Sequence, residues 1–408
     1  MICPKCGRIS ACDKPSCPLK AREMFAKSSR LSYKKDFSGT TPNVFVGHFG
    51  YPNVNVGLLS TDFSEDEVDD PLKWSREGYD MNRIVNLRTA LVNSKFSSSV
   101  SSVRSSVNDK LREISKEVSL SPRKVDTEIH LKKRPSPSLS FNAEATPHGP
   151  SAPVLRAELS ENVRVPTKVD KVISDDDFKA GAALNELYKK HFDEHYLTKI
   201  LSMGNLGVKT QRKMVPTRWS ITAVDDSLGN KLIDEISQYP NTLDPMSFYG
   251  SYMENHFLAL VLPGRWSFDF IENYPFDMES DEPATAVKHD MDSEGPEGRK
   301  SYASNTAGGY YAARLALLEY LKSKRRQASV VLFRFTTTDY YASLGVWVVR
   351  QAVRKTFENR PLEFGSESLL LEYARKIIMR QFRYDISPLI KKSPIIDERM
   401  RQRTLSDF

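Results

Sequence analysis

Cysteine is scarce in this chain of 408 residues: all four cysteines lie within the first 17 positions, and none occurs in the other 391. Any disulfide or cysteine-bound metal is therefore confined to the N-terminus. The sequence also lacks a run of about 18 apolar residues, the length that a membrane-spanning helix needs, and residues 1–20 lack the apolar stretch of a signal peptide. We therefore expect a cytoplasmic protein with no membrane partner.

The spacing of the cysteines, Cys-x2-Cys-x5-Cys-x4-Cys, predicts a zinc site. Structural zinc takes four thiolates in a tetrahedron at about 2.3 Å, and short loops between paired cysteines supply that geometry. Two disulfides or four unbound thiols are the alternatives, but a chain without an export signal lies among cytosolic reductants, which favours the metal. We predict a zinc-binding module at residues 1–30, which either binds nucleic acid or only stabilises the N-terminus, with the ligands Cys3, Cys6, Cys12 and Cys17.

Positive charge is concentrated in the last 110 residues. Residues 299–408 hold 21 Lys and Arg against 10 Asp and Glu, a net charge of +11, whereas the other 298 residues carry 38 basic and 42 acidic groups, a net charge of −4. Such an asymmetry is typical of a half that faces nucleic acid or phosphate. A solvated basic surface that serves solubility is the alternative.

The pattern of apolar residues predicts an α+β fold, with a mixed α/β core, because strands and helices interleave along the chain. Strands are expected in a hairpin at 41–57 and at 218–224, 256–262, 266–271 and 328–335; helices are expected at 80–92, 182–201, from 226 onward, from 308 to about 326, and at 346–358 and 366–380. Residues 275–298 are acidic and predict a mobile loop.

Composition divides the chain further. A Pro- and Ser-rich loop or linker is expected at 134–160, because its composition is typical of segments without a packed core. It separates an N-terminal α+β part at 31–133 from an α+β core at 161–390, and a flexible tail follows at 391–408.

The last seven residues form a Gln-x-x-Leu-x-x-Phe string, which is the motif that binds the PCNA sliding clamp. Residues three apart eclipse in a 3₁₀ turn, so Leu405 and Phe408 form one small apolar plug. The usual motif has a second aromatic after the first, which this chain lacks. A tail that matches by chance is the alternative. The predicted clamp-binding residues are Gln402, Arg403, Thr404, Leu405, Ser406, Asp407 and Phe408.

Three arginines in the body of the chain are candidates for binding nucleotide or DNA phosphates. A guanidinium offers planar paired donors that match phosphate oxygens, and a neighbouring tryptophan can stack on a base. The alternative is that each Arg-Trp pair packs into the fold. The candidate residues are Arg88, Arg218 with Trp219, and Arg265 with Trp266.

Two adjacent carboxylates are candidates for catalysis. Asp225 and Asp226, at a predicted junction between a strand and a helix, offer the oxygen ligands that Mg²⁺ or Mn²⁺ takes, and His256 would serve as a further ligand or a general acid. The alternative is that Asp226 only caps a helix. With the arginines, this set would hydrolyse a phosphoester, whereas a non-catalytic DNA-binding adaptor needs only the arginines and aromatics.

Taken together, these segments resemble the archaeal Nre family of DNA repair proteins over nearly the whole chain. Membership implies a role in DNA damage repair, a metal-binding N-terminus and recruitment to the sliding clamp. We interpret residues 94–153 as a local insertion, and His48 stands where Arg is more usual in the family. The segments that carry the resemblance are residues 3–17, 45–52, 88–92, 216–226, 263–266, 308–314 and 402–408.

Overall fold

The computed structural model describes residues 34–62, 67–105, 109–135, 144–276 and 288–401. Within these ranges the chain forms two compact units, of which the first comprises residues 34–228 and 342–345, and the second 229–341 and 346–401. The predicted zinc ligands and the predicted clamp motif lie outside the described residues. No helix in the described ranges is long and apolar enough to span a bilayer.

A closed five-stranded barrel forms the centre of the first unit. Its strands are β1 (Asp36–Val46), β2 (Asn53–Thr61), β3 (Val92–Ser99), β4 (Val125–Leu131) and β5 (Ser151–Leu159), hydrogen-bonded in the order β1-β2-β3-β5-β4. Neighbours are antiparallel except β3 and β5, and β4 pairs with β1 to close the barrel. This strand order is that of an OB-fold, whose ligands bind across strands 2 and 3 and the loops between strands 1 and 2 and strands 4 and 5.

Alternation along the strands explains why they form a barrel. In β4 the side chains of Val125, Thr127, Ile129 and Leu131 are buried while those between them face outward, as the two-residue period of a strand requires. The helices of this unit are α1 (Pro71–Arg76), α2 (Met81–Thr89), α3 (Lys110–Leu120), α4 (Thr167–Ile173), α5 (Ala180–Lys189), α6 (Glu194–Ser202) and the start of α7 (Thr217–Ile236), with 3₁₀ turns at Val100–Arg104 and Lys209–Gln211.

The second unit contains a mixed six-stranded sheet in the order β11-β6-β7-β10-β8-β9. Strands β10 and β8 are parallel, and the other neighbours are antiparallel. The strands are β6 (Met246–Tyr252), β7 (Asn255–Leu262), β8 (Ser267–Phe276), β9 (Lys288–Glu294), β10 (Ser329–Thr337) and β11 (Leu362–Glu363). The helices are α8 (Ala307–Lys324), α9 (Trp347–Glu358), α10 (Glu367–Phe382), α11 (Ser387–Lys392) and α12 (Pro394–Arg401).

The α+β class predicted from the sequence is confirmed, and so are several elements. The hairpin at 41–57 is β1 and β2, the helix at 80–92 is α2, and the expected strands at 256–262, 266–271 and 328–335 are β7, β8 and β10. These elements were predictable because their own hydrophobic period or turn residues specify them.

The strand predicted at 218–224 is wrong, because this segment lies in α7. The carbonyl of Pro216 accepts hydrogen bonds from the amides of Trp219 and Ser220, each at 2.9 Å. Val224 and Leu228 are buried one helical turn apart. The β-branched and aromatic residues suggested a strand, but such propensity is a weak signal beside a helix start and a four-residue period.

Three predicted irregular segments contain regular structure. Strands β3, β4 and β5 lie within residues 94–153 or extend from them, so that range belongs to the barrel and is not an insertion, and the expected linker at 134–160 contains β5. Part of the expected acidic loop is β9, which pairs with β8. The expected flexible tail at 391–408 contains the last two residues of α11 and the whole of α12, in which Ile395 and Ile396 are buried.

Candidate nucleic-acid interface

The tip of the β1–β2 hairpin carries two exposed aromatic rings. Phe49 is 79% exposed and Tyr51 is 43% exposed. Between them Gly50 has a φ of +80°, and a Cβ there would lie 2.7 Å from the carbonyl oxygen of Asn53. Only glycine fits this turn without strain. The turn therefore holds two large apolar side chains toward solvent.

The first turn of α7 adds a third aromatic ring to the hairpin tip. The hydroxyl oxygen of Thr217 accepts a hydrogen bond from the amide of Val46 at 2.9 Å, which ties the start of the helix to the end of β1. Trp219 is 45% exposed, and its ring centroid lies 5.3 Å from that of Tyr51. Phe49, Tyr51 and Trp219 together are called the aromatic ledge below.

Arg218 lies beside the aromatic ledge and is held there by two side chains. Its Nη2 lies 2.7 Å from Oε1 and 2.5 Å from Oε2 of Glu144, and its Nη1 lies 3.4 Å from Nε2 of His48. Burial, with the neighbouring Arg218 charge, lowers the pKa of His48 below its usual value, although Glu144 opposes this. His48 is therefore neutral at pH 7 and accepts from the guanidinium.

A cavity of about 320 Å³ opens next to Arg218 on the face of β2 and β3. His148 donates from Nδ1 to the carbonyl of Gly149 at 2.8 Å, so its Nε2 accepts from Nδ2 of Asn93 at 3.2 Å. Burial lowers the pKa of His148, which keeps the ring neutral. Lys95 also lines the cavity and adds a positive charge. The remaining lining residues include Phe45, Gly47, His48, Phe49, Asn55, Ala145, Thr146 and Ser151.

Arg88 does not face this cavity. Its guanidinium is buried, forms an ion pair with the buried carboxylate of Asp69, and donates to the carbonyls of Pro147 at 2.7 Å and Val68 at 3.3 Å. These bonds occupy donors that a phosphate would need. Arg88 fixes the loop that carries His148, so its part in the interface is positioning.

Arg265 and Trp266 belong to the second unit, whereas Arg218 and Trp219 belong to the first. Trp266 is buried, donates from Nε1 to Glu294 at 3.0 Å, and stacks on Phe268. Its ring is part of the core, as the packing alternative predicted. The side chain of Arg265 is 70% exposed, with Glu297 3.5 Å away.

The three candidate catalytic residues belong to two different units. Asp225 and Asp226 lie in the interior of α7, so Asp226 caps no helix start, and His256 lies on β7 in the other unit. Tyr249 and His256 share a hydrogen bond of 3.0 Å, and burial lowers the pKa of His256. Within the described ranges, no group of three or more His, Cys, Asp or Glu side chains is placed to hold a metal ion.

Sequence reasoning missed most of the interface, because its residues come from four separate segments. The sequence could have indicated that Phe49 and Tyr51 are exposed, because aromatic residues in a turn between two strands do not pack into the core. Lys95, Glu144 and His148 carried no local signal. Only the closure of the barrel brings them to Arg218.

Comparison with known proteins identifies the relatives of this chain. The model described as "Archaeal Nre, N-terminal" matches residues 11–277, and "Archaeal Nre, C-terminal" matches residues 294–408. DNA repair protein NreA of Haloferax volcanii is 38% identical over 79% of this chain and 78% of its own. DNA repair proteins NreB and NreA of Archaeoglobus fulgidus are 34% and 35% identical over 100% and 94% of this chain, covering 100% and 96% of their own lengths. No solved structure matches this chain at a significant level.

Proposed function

Because this chain belongs to the archaeal Nre family, we propose that it is a DNA repair protein that binds single-stranded DNA on the face of the barrel formed by β2 and β3. The observation that carries this proposal is the pair of exposed rings of Tyr51 and Trp219, 5.3 Å apart and adjacent to Arg218. The names of the relatives support the repair role.

The aromatic ledge has the chemistry of a single-strand site. Unpaired bases expose their flat faces, and stacking on an aromatic side chain contributes about 1–3 kcal/mol per base without sequence preference. Exposed rings cost free energy in water, since burial of such a side chain is favourable by about 1.5–3 kcal/mol. Three of them on one edge of the barrel are well explained by an apolar ligand such as a row of bases.

The position of the ledge in the fold supports the same ligand. OB-folds bind oligonucleotides across strands 2 and 3 and between the loops that connect strands 1 to 2 and 4 to 5. Here Phe49 and Tyr51 of the ledge are in the first of these loops, His148 and Glu144 are in the second, and Asn93 and Lys95 are on β3. The cationic groups of Lys95 and Arg218 would contact the backbone phosphates.

The experiment that tests this proposal compares two double variants by fluorescence anisotropy with a labelled oligothymidine. Tyr51→Ala with Trp219→Ala removes two stacking rings and should weaken binding by about 2–6 kcal/mol if each stacks one base. Tyr302→Ala with Leu243→Ala removes an exposed ring and an exposed apolar side chain of the second unit, and binding should not change. Unaltered binding by the first variant would remove the basis for the interface.

We further propose that the C-terminal end of the chain recruits it to the PCNA sliding clamp and that the N-terminal end binds a metal ion. Residues 402–408 would bind the PCNA sliding clamp as a short 3₁₀ turn with Leu405 and Phe408 as anchors. Four thiolates at the N-terminus would bind one structural zinc ion, and zinc binding would then stabilise that segment. Both proposals are supported by the sequence motifs and the family resemblance. Phosphoester hydrolysis stays a prediction of the sequence.

A further inference from the structure

A second cavity of the first unit, of about 580 Å³, has a buried lysine in its wall. Lys199 lies on α6 and is 7% exposed. The other walls come from β1 at Pro42 and Asn43, from the start of α1 and from the segment that follows α3. The cavity shares no lining residue with the one beside Arg218, and it has the size of a small-molecule site, about 300–1,000 Å³.

The amine of Lys199 is held by two main-chain oxygens. Its Nζ donates to the carbonyl of Ser121 at 2.6 Å and to that of Pro42 at 3.1 Å. Among the residues that the structure describes, no carboxylate forms an ion pair with Lys199. A neutral amine has two N–H groups and a lone pair, whereas an ammonium ion has three N–H donors. The two bonds therefore satisfy the neutral amine and leave its lone pair unused.

Burial outweighs the charges that face Lys199. The carboxylate of Asp69 forms an ion pair with Arg88, and that of Asp193 accepts from the amide of Tyr196 at 2.8 Å. Both carboxylates raise the pKa of Lys199, but burial lowers it to about 8. A large share of the amine is then neutral near pH 8, unlike that of an ordinary lysine. The other titratable groups of the cavity wall are Asp70, Arg123, Lys124, His195 and Tyr196.

The same cavity offers cations for an anionic group. Arg123 and Lys124 lie side by side in its wall, with Arg123 exposed and Lys124 half-buried. Guanidinium and ammonium groups are the usual partners of phosphate. The carboxylate of Asp70 accepts from the amide of Lys73 at 2.9 Å, and Asp69 and Asp193 have the partners given above. The cavity therefore combines a neutral amine with two cations.

We propose that the Nζ of Lys199 forms an imine with an aldehyde that carries a phosphate group, which Arg123 and Lys124 bind. The lone pair attacks the carbonyl carbon, and one amine proton moves to the carbonyl oxygen. That oxygen then leaves as water with the second amine proton, and a C=N bond forms. Hydrolysis reverses the step, so it needs no oxidant or reductant. The competing explanation is that Lys199 only joins β1 to the segment after α3.

Two sources supply an aldehyde with a phosphate. The ring-opened deoxyribose of an abasic site in DNA is one, and a free sugar phosphate is the other. The first source rests on the proposed function, because the protein must then bind DNA. The imine itself does not rest on it.

The test is trapping of the imine with sodium cyanoborohydride, followed by peptide mapping in a mass spectrometer. The probes are an oligothymidine with one abasic site, glyceraldehyde 3-phosphate and glyceraldehyde. At pH 7.5 the neutral fraction of an amine with a pKa of about 8 is on the order of a hundredfold that of an ordinary lysine. Lys199 should therefore be labelled at least about tenfold faster than the exposed Lys171 and Lys189.

Two variants check the assignment. Lys199→Met should lose the labelled peptide, and Lys189→Met, the control, should keep it. If Lys199→Met does not fold, the peptide map of the wild type decides alone. Labelling spread over exposed lysines with none at Lys199 overturns the proposal and supports the structural explanation.

The phosphate half of the proposal has its own comparison. Glyceraldehyde 3-phosphate should label Lys199 about tenfold faster than glyceraldehyde, if the two cations contribute about 1.4 kcal/mol to its binding. Arg123→Gln with Lys124→Gln should make the two rates equal. Equal rates in the wild type would overturn the phosphate contact.

The outcome is separable from that of the proposed single-strand site. Tyr51→Ala with Trp219→Ala should lose oligothymidine binding and keep labelling by glyceraldehyde 3-phosphate, because neither residue lines this cavity. Labelling of the wild type by the abasic oligothymidine assigns the aldehyde to DNA, and labelling by glyceraldehyde 3-phosphate alone assigns it to a free sugar phosphate. Both results support the imine. A protein in which no probe labels Lys199 contradicts it, whatever its binding of oligothymidine.

Discussion

The Nε of Arg88 donates to the main-chain oxygen of Pro147 at 2.7 Å, and this bond joins α2 to the loop that carries one wall of the candidate interface. The same guanidinium pairs with the buried carboxylate of Asp69. Arg88, which the sequence predicted to bind phosphate, thus contributes to the interface indirectly, because it fixes the loop that carries His148.

Replacing Arg88 with Met should destabilise the first unit strongly. The change leaves the Asp69 carboxylate buried without its partner, which costs about 3–5 kcal/mol in such pairs. Urea unfolding measures the loss. Arg83→Met, which breaks an exposed pair with Glu67 at 3.1 Å, is the control and should cost at most about 1 kcal/mol. Equal effects of the two changes would contradict the role given to Arg88.

Because its amine is buried, Lys199 should make the free energy of unfolding depend on pH in the alkaline range. Its Nζ donates to the carbonyls of Ser121 at 2.6 Å and Pro42 at 3.1 Å, and burial lowers its pKa to about 8. The unfolded chain, with a lysine pKa of about 10.4, binds more protons between these values. The free energy of unfolding should therefore rise from pH 8 to 10, by on the order of 3 kcal/mol at most.

Comparison with Lys199→Met isolates this contribution, because all other titrating groups are common to both proteins. The unfolding free energy of the wild type, relative to that of the variant, should rise between pH 8 and 10. A difference that is constant from pH 7 to 10 would show that Lys199 titrates normally in the folded protein.

How much of this was predictable from the sequence depends on where the determining contacts lie. The β1–β2 hairpin and α10 were predictable because turn residues and apolar period are local. The helical state of residues 218–224 was not, since aromatic and β-branched residues there outweighed the helix start at Pro216. The sequence suggested that Arg88 and Trp266 are exposed and bind nucleic acid. They are buried because they bind Asp69 and Glu294, which are distant in sequence.

Glu144→Gln should strengthen binding of single-stranded DNA. The carboxylate pairs with Arg218 and so competes with a phosphate for the same guanidinium, whereas the amide keeps the shape without the charge. We expect a gain of up to about tenfold at low salt, since each 1.4 kcal/mol corresponds to a factor of ten. Arg218→Ala should weaken binding, and Glu158→Gln, on the outer face of β5, is the control. Weaker binding by Glu144→Gln would mean that the carboxylate positions Arg218 for the ligand.

Changing Leu405 and Phe408 to Ala together should abolish binding to the PCNA sliding clamp. These are the two apolar anchors of the terminal motif, and with only two we expect micromolar affinity, roughly 7–9 kcal/mol. Isothermal calorimetry measures the loss, and single-strand binding should be unaffected. Since α12 extends to Arg401, deletion of residues 402–408 leaves the folded helix whole. Undiminished clamp binding after that deletion would make the terminal match a coincidence.

One zinc ion per chain is expected at the N-terminal cysteines. Metal analysis of the purified protein should find it, and Cys6→Ser with Cys12→Ser should remove it, because two of the four thiolates are lost. Chelation should leave the barrel and the sheet folded, since neither uses a cysteine. Zinc content that is absent from wild type or unchanged in the variant would refute the assignment.

Trp219 offers the most direct test of the single-strand interface. It is 45% exposed, whereas Trp74, Trp266 and Trp347 are buried, so quenching of tryptophan fluorescence by acrylamide reports chiefly on Trp219. If bases stack on the aromatic ledge, saturating oligothymidine should quench this emission and protect the remainder from acrylamide. Trp219→Phe should remove both effects. Binding of oligothymidine with no change in Trp219 emission or accessibility would place the DNA elsewhere and contradict the proposed interface.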